Sequence, residues 1–106
     1  PIRIRGGRPT GTRVRIDGSV SSQFLTAVLL TAPLHPEGLV IEITGKQISR
    51  SYVEMTLDGL AEFGVGTRVD GHRYLVEPGS RFVARDYRIE GDASGASYLW
   101  AVAALS

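Results

Sequence analysis

One pattern restricts the folds open to this chain more than any other: a strand that runs into a Gly-Ser helix opening, written twice. Arg15-Ile16-Asp17-Gly18-Ser19-Val20-Ser21 returns as Arg88-Ile89-Glu90-Gly91-Asp92-Ala93-Ser94, with Arg, Ile, Gly and Ser in step and an acid after each Ile. An apolar helical run follows each copy. Strand-to-helix junctions of this type often look alike, so the short match does not by itself establish a repeat. The order of elements around it adds the weight.

Arg13–Ile16 alternates charged and apolar residues and predicts a strand that Asp17-Gly18 ends. Phe24–Ala32 is apolar nearly all round and predicts a helix buried on most of its surface, stopped by Pro33 and Pro36. Leu39–Thr44 is a β-rich strand. Ser49–Phe63 carries Tyr52, Thr56, Leu60 and Phe63 at helical spacing, beside Val53 and Leu57, with Gly64 where a left-handed cap belongs. Val65–Val69 and Arg73–Val76 flank Asp70-Gly71 as a β-hairpin whose turn can include His72. Tyr87–Ile89 predicts another strand and Ala96–Leu105 another apolar helix. At the N-terminus, Ile2–Arg5 alternates like a short strand or extended arm before a Gly/Pro turn.

The fold class expected is therefore α+β, a mixed α/β sheet with helices on one side. Residues 13–79 form one β-α-β-α-β-β unit, and residues 86–106 open the next with its first β-α. Both ends read as cut from something longer, since the chain starts at Pro1 and stops within an apolar helical run at Ala104-Leu105-Ser106. A repeat of this kind buries its faces against sister copies, so marginal stability in isolation is expected. Uncovered apolar faces also leave self-association open.

Composition removes several function classes. A formal net charge of +1, from twelve Lys and Arg against eleven Asp and Glu, gives no general attraction to nucleic acid or anionic membranes. The absence of cysteine excludes disulfides and thiolate chemistry, and two histidines argue against a His-based metal cluster. No apolar run reaches membrane-spanning length, and no signal-like N-terminus is present. No Ser/His/Asp set, P-loop, paired-carboxylate motif or dinucleotide fingerprint occurs. Arg3, Arg5, Arg8, Arg13 and Arg15 are basic, but alternating Arg on a strand is more often a solvated face.

Two helix openings carry groups that can hold an anion. Ser21-Ser22-Gln23 offers two hydroxyls and an amide where backbone N–H groups are unpaired and the helix dipole favours negative charge. From residue types alone, an ordinary serine cap is the better explanation, because no basic residue lies beside it. Ser49-Arg50-Ser51-Tyr52 adds a hydroxyl and a ring that could pack on a cyclic ligand, and a cap with a core tyrosine explains it equally well. In parallel β-α units both openings follow the C-terminal ends of their strands, where ligands usually bind, so they should converge. Asp92 reads as a cap for the last helix, and Trp100 as core or as a contact to a missing neighbour. The second copy has Gly95 and Ala96 where the first has Ser22 and Gln23, so it keeps the scaffold without the polar pair. His35 and His72 read as loop residues.

Asp17-Gly18-Ser19-Val20-Ser21-Ser22-Gln23-Phe24-Leu25-Thr26-Ala27 resembles the helix-opening motif of 5-enolpyruvylshikimate-3-phosphate synthases. Ile48-Ser49-Arg50-Ser51-Tyr52-Val53 resembles their second motif, with Ser51 where Pro is common. Glu90-Gly91-Asp92-Ala93-Ser94-Gly95-Ala96-Ser97-Tyr98 resembles a third, with Gly95 where Ser is common. The three stand in the family's order and spacing and cover essentially the whole chain.

The resemblance implies transfer of the enolpyruvyl group of phosphoenolpyruvate to shikimate 3-phosphate, by addition and then elimination, in the cytoplasm and without a cofactor. It implies that Ser21, Ser22, Gln23, Ser49 and Tyr52 bind shikimate 3-phosphate and that Gln23 also touches phosphoenolpyruvate. It implies a barrel-like, inside-out domain of three β-α-β-α-β-β units. The family's phosphoenolpyruvate-binding arginines and its acid–base groups have no counterpart here, so this chain is expected to be inactive alone and to act with the remainder of the same enzyme. A related transferase acting on UDP-N-acetylglucosamine, and a non-catalytic binding module, are the alternatives.

Overall fold

The computed structural model describes residues 2–3, 5–7 and 10–105. Four strands and three helices follow one another as β1 (Arg13–Asp17), α1 (Ser22–Thr31), β2 (Leu39–Thr44), α2 (Arg50–Glu62), β3 (Thr67–Asp70), β4 (Arg73–Val76) and α3 (Ala93–Leu105), with a single 3-10 turn at Ala32–Leu34 after α1. The sheet order is β1-β2-β4-β3, with β1 parallel to β2 and the other two pairings antiparallel. It is an open mixed sheet: β1 and β3 are its edges, and no barrel closes among the described residues.

Strand alternation decides the two faces. Leu39, Ile41 and Ile43 point inward from β2, and Tyr74 and Val76 from β4. They meet Leu25, Leu29 and Ala32 on the α1 side and Val53 and Leu60 on α2 in one core. Both helices thus cover the same face, because a period-2 apolar row on a strand and a period-3.6 stripe on a helix bury each other. The α2 stripe ends on a Schellman motif: Gly64 at φ 82° donates to Ala61 O, and Val65 N–H donates to Leu60 O. Gly71-His72 makes the two-residue link of the hairpin.

The opposite face carries Arg15, Glu42 and Arg73 side by side on three adjacent strands. Arg15 Nε lies 3.0 Å and Arg73 Nη2 3.2 Å from the Glu42 carboxylate. These hydrogen bonds, Arg15's first and Arg73's next, hold the Glu42 pKa below the ordinary glutamate value against a smaller desolvation effect. The folded-state pKa is thus below the unfolded one. The contribution to stability is fully present above the unfolded value and is lost as pH falls through the folded value. Glu42→Gln is expected to lower the denaturant midpoint at pH 7 slightly, and to match the parent once acid has protonated Glu42 in the folded state. Equal midpoints at pH 7 would show that this exposed bridge contributes nothing.

Several expectations need correction. The α1 helix is not buried on most of its surface: Leu25 and Leu29 are its buried residues, whereas Phe24 and Leu30 are about half exposed. One sheet face can cover one side of a helix only. No strand forms at Tyr87–Ile89, because no described segment offers it a ladder partner and Ile89 is exposed. The chain leading into it, residues 83–87, instead runs back over the end of α2. Val83 N–H donates to Phe63 O (2.8 Å), Arg85 pairs with Glu62, and the Phe63 and Tyr87 rings lie 5.8 Å apart. Of the two readings of Trp100, the core is excluded: it is 66% exposed, on a helix with no buried residue, and the contact to a neighbour is the reading left. The Asp92 carboxylate accepts from Ser94 N–H (2.9 Å), as a cap would. Each copy of the repeat thus opens a helix, but out of register: α3 begins at Ala93, which aligns with Val20, two residues ahead of the position of Ser22, and the second copy lacks the strand before it. Ile2, Arg3 and Arg5 belong to no regular element, and Ile4, Arg8 and Pro9 of the expected arm and turn lie outside the described residues. No helix of the described residues is long and apolar enough to cross a membrane.

Candidate functional site

Parallel pairing of β1 and β2 places the openings of α1 and α2 on the same sheet rim. The two β-to-α loops are also bonded to each other. Gly18 N–H donates to Thr44 O (2.9 Å), and Ile48 N–H donates back to Gly18 O (3.1 Å). Close approach is possible because residue 18 has no side chain: a β-carbon there would lie 2.6 Å from Ile43 Cγ2 and 3.1 Å from Gln47 Cα. From below, the Tyr74 hydroxyl donates to Gln47 Oε1 (3.0 Å) and braces the second loop.

The first loop is shaped by Asp17. Its Oδ1 accepts from Ser19 Oγ (2.6 Å) and from Ser19 N–H (2.9 Å). The side-chain bond first and the backbone bond second hold the Asp17 pKa below the ordinary value. Ser21 follows in extended conformation (φ −165°, ψ 138°), and its Oγ accepts from Gln23 N–H at 3.2 Å. The ordinary serine cap is thus present. Accepting that bond does not use the Ser21 hydroxyl proton, which can still be given to a ligand oxygen.

In the second loop Ser49 stands at φ 51°, ψ 48°, alone among the described non-glycine residues in having positive φ. Its side chain makes no capping bond. Left-handed geometry costs an L-residue roughly 1–2 kcal/mol, and such strain is often kept where it aims a functional group. Ser49→Gly is expected to raise stability by about 0.5–1 kcal/mol, after the unfolded-chain entropy of glycine is set against the relief. The denaturant midpoint measures this, and an unchanged or lower midpoint would contradict the strain.

Between the two openings lies a groove of about 900 Å³. Ser21, Ser22 and Gln23 line it from α1, and Ser49 and Tyr52 from the α2 side, so all five residues singled out from the sequence share one cavity. Tyr52 is 61% exposed and presents its ring there rather than to the core. Leu30 and Met55 form apolar walls. Thr26 and Thr56 also line the groove, joined across the two helices by a 3.1 Å hydroxyl–hydroxyl bond. Sequence reasoning missed this pair. The available signal was one helical turn: Thr26 follows Ser22, and Thr56 follows Tyr52, by four residues.

Among the described residues, no Lys, Arg, His, Asp or Glu lines the groove. Arg50 at the α2 opening is engaged with Glu54 instead (3.1 Å). The groove can therefore bind an oxygen-rich ligand through neutral donors and a helix start. It holds no side chain that moves a proton at neutral pH.

The model of the family EPSP synthase (3-phosphoshikimate 1-carboxyvinyltransferase) matches residues 1–106. The chain is similar to the 3-phosphoshikimate 1-carboxyvinyltransferase of Methanoculleus marisnigri, 46% identical over 106 residues that make up 99% of this chain and 25% of that protein. It is also similar to those of Escherichia coli (47% over 107 residues) and Salmonella agona (45% over 109 residues), with the same shares covered. It spans about a quarter of the length of these curated relatives. Matched along its whole length by the family model and close to half identical to these relatives, the chain belongs to the EPSP synthase family.

Proposed function

We propose that the groove between α1 and α2 is a seat for shikimate 3-phosphate, within an enzyme that moves the enolpyruvyl group of phosphoenolpyruvate onto that substrate. One observation carries the reading: Ser21, Ser22, Gln23, Ser49 and Tyr52 line a single groove at the C-terminal ends of two parallel strands. A phosphate at the α1 opening gains from the helix dipole and from the hydroxyl protons of Ser21 and Ser22. Gln23, with one donor and one acceptor end, is the residue for contact with phosphoenolpyruvate as well. Across the groove, the Ser49 hydroxyl takes an oxygen and the Tyr52 ring packs on the carbocycle.

The relatives are 3-phosphoshikimate 1-carboxyvinyltransferases, and the three motifs of the resemblance agree with that activity. The acid–base groups and cations for the addition and elimination steps come from the remainder of the protein, since the groove has none. Residues 13–79 are then one β-α-β-α-β-β unit and residues 86–106 the start of another, whose strand at Tyr87–Ile89 would find its ladder partner only when docked on further units of a barrel-like domain. The exposed apolar residues of α3 support that docking, and they are also the surface through which the chain would self-associate. By the same resemblance the enzyme works in the cytoplasm.

Amide NMR tests the reading. Adding shikimate 3-phosphate should move the resonances of Ser21–Gln23 and Ser49–Tyr52 first, at weak affinity because no cation lines the groove. Ser49→Gly should bind more weakly although it is the more stable protein. Larger shifts with UDP-N-acetylglucosamine, or shifts spread evenly along the chain, would overturn the assignment.

A further inference from the structure

The hydrogen bonds on the groove floor have a fixed direction. Thr56 Oγ1 lies 2.9 Å from Tyr52 O, a carbonyl that can only accept, so the single Thr56 proton is spent there. Thr26 Oγ1 lies 3.1 Å from Thr56 Oγ1. With the Thr56 proton committed, Thr26 is the donor of that bond and Thr56 the acceptor. The chain then reads Thr26 to Thr56 to the Tyr52 carbonyl, and the exposed valence of Thr26 Oγ1 is a lone pair. Both hydroxyls are half-buried and line the groove.

We infer that Thr26 is a specificity-determining residue that accepts a hydrogen bond from a ring hydroxyl of the bound ligand. The floor thereby selects a donor, whereas the Ser21, Ser22 and Ser49 hydroxyls above it can donate to phosphate oxygens. A ligand matched to this arrangement is a polyol carrying one phosphate: acceptor oxygens at the rim and a hydroxyl group at the floor. The position suits this division. Ser22 and Thr26 are one turn apart on α1, and Tyr52 and Thr56 one turn apart on α2, so the polar groups descend together from rim to floor. A carbonyl or ether oxygen placed at the floor would face the Thr26 lone pair with no proton between them. This inference rests on the proposed reading of the groove as a polyol phosphate site.

The test compares shikimate 3-phosphate with two analogues, each having one of its free ring hydroxyls oxidised to a ketone. Titrations use the wild-type chain, Thr26→Val, Thr26→Ser and Thr56→Val, with inorganic phosphate as the control. In Thr26→Val, Thr56 keeps its bond to the Tyr52 carbonyl, so no polar group is orphaned. Wild type is expected to bind the parent ligand about tenfold more tightly than one of the two ketones, the worth of one net hydrogen bond. Thr26→Ser should keep that preference. Thr26→Val should lose about tenfold for the parent ligand and little for inorganic phosphate. Thr56→Val frees the Thr26 proton to turn into the groove, and the discrimination against the ketone should vanish.

Equal binding of the parent and both ketones by the wild-type chain overturns the inference without any variant, and leaves the phosphate site standing. Undiminished binding by Thr26→Val does the same. Shifts at Ser21–Gln23 with inorganic phosphate, but none with shikimate 3-phosphate, overturn this inference and the polyol reading together.

Discussion

Gly38→Ala is expected to cost roughly 2–5 kcal/mol, a large share of the ~5–15 kcal/mol by which a typical domain is stable. Two penalties combine. Residue 38 sits at φ 74°, where a β-carbon meets the backbone and costs about 1–2 kcal/mol. That carbon would also lie 2.6 Å from Val76 O and 2.8 Å from Pro78 N. Both are main-chain atoms, so no side-chain rotation relieves the contact. Relief requires the entry to β2 to move away from the end of β4, where Leu39 pairs with Val76. Overpacking of this kind adds about 1–3 kcal/mol. Urea unfolding followed by far-UV circular dichroism measures the loss, and a midpoint within error of the parent would show that β2 and β4 are not in the stated contact.

Gly18→Ala should act on stability and on the groove at once. The new carbon meets Ile43 Cγ2 at 2.6 Å and Gln47 Cα at 3.1 Å. Ile43 is 4% exposed and β-branched, so it has little freedom to rotate away. The remaining escape is outward movement of the loop that carries Gln47. Ile48 is bonded to Gly18 O, so the displacement passes to Ser49 and changes its distance from Ser22. A loss of about 1–3 kcal/mol is expected from overpacking. Affinity for shikimate 3-phosphate should fall more than tenfold even where the variant is fully folded, since small misplacements of binding groups are costly, about a hundredfold in rate for 1 Å in enzymes. Stability and affinity are read separately, by unfolding and by titration below the unfolding midpoint. A destabilised variant with unchanged affinity would show that Ser49 is not placed by this junction.

Much of this was legible in the sequence because local chemistry and tertiary context agreed. Leu39–Thr44 forms a strand with the bounds that its β-branched run implies. Gly64 closes α2 because the helix needs a left-handed residue there, and glycine meets that need without steric cost. The failures arose where a residue's surroundings, rather than its type, decide the outcome. Apolar residues all round α1 indicate that it can be buried but not by what, and only the Leu25–Leu29 side meets the sheet. Tyr87–Ile89 has strand character, yet a strand exists only with a neighbour to share its hydrogen bonds. Trp100 is apolar in type and exposed in fact for the same reason. In the groove, helix openings can be read from Ser and Gly, whereas the Thr26–Thr56 bond depends on how closely two helices pack, which no single segment encodes.

The exposure of α3 divides the molecule into two thermodynamic layers. Helices of its length, 13 residues, are marginal in water without a buried face, and α3 buries no residue. Heating the chain will therefore fray α3 gradually, at temperatures where the sheet and its two covering helices still form one cooperative block. A calorimetric peak reports that block alone, while helical ellipticity begins to decline before the peak is reached.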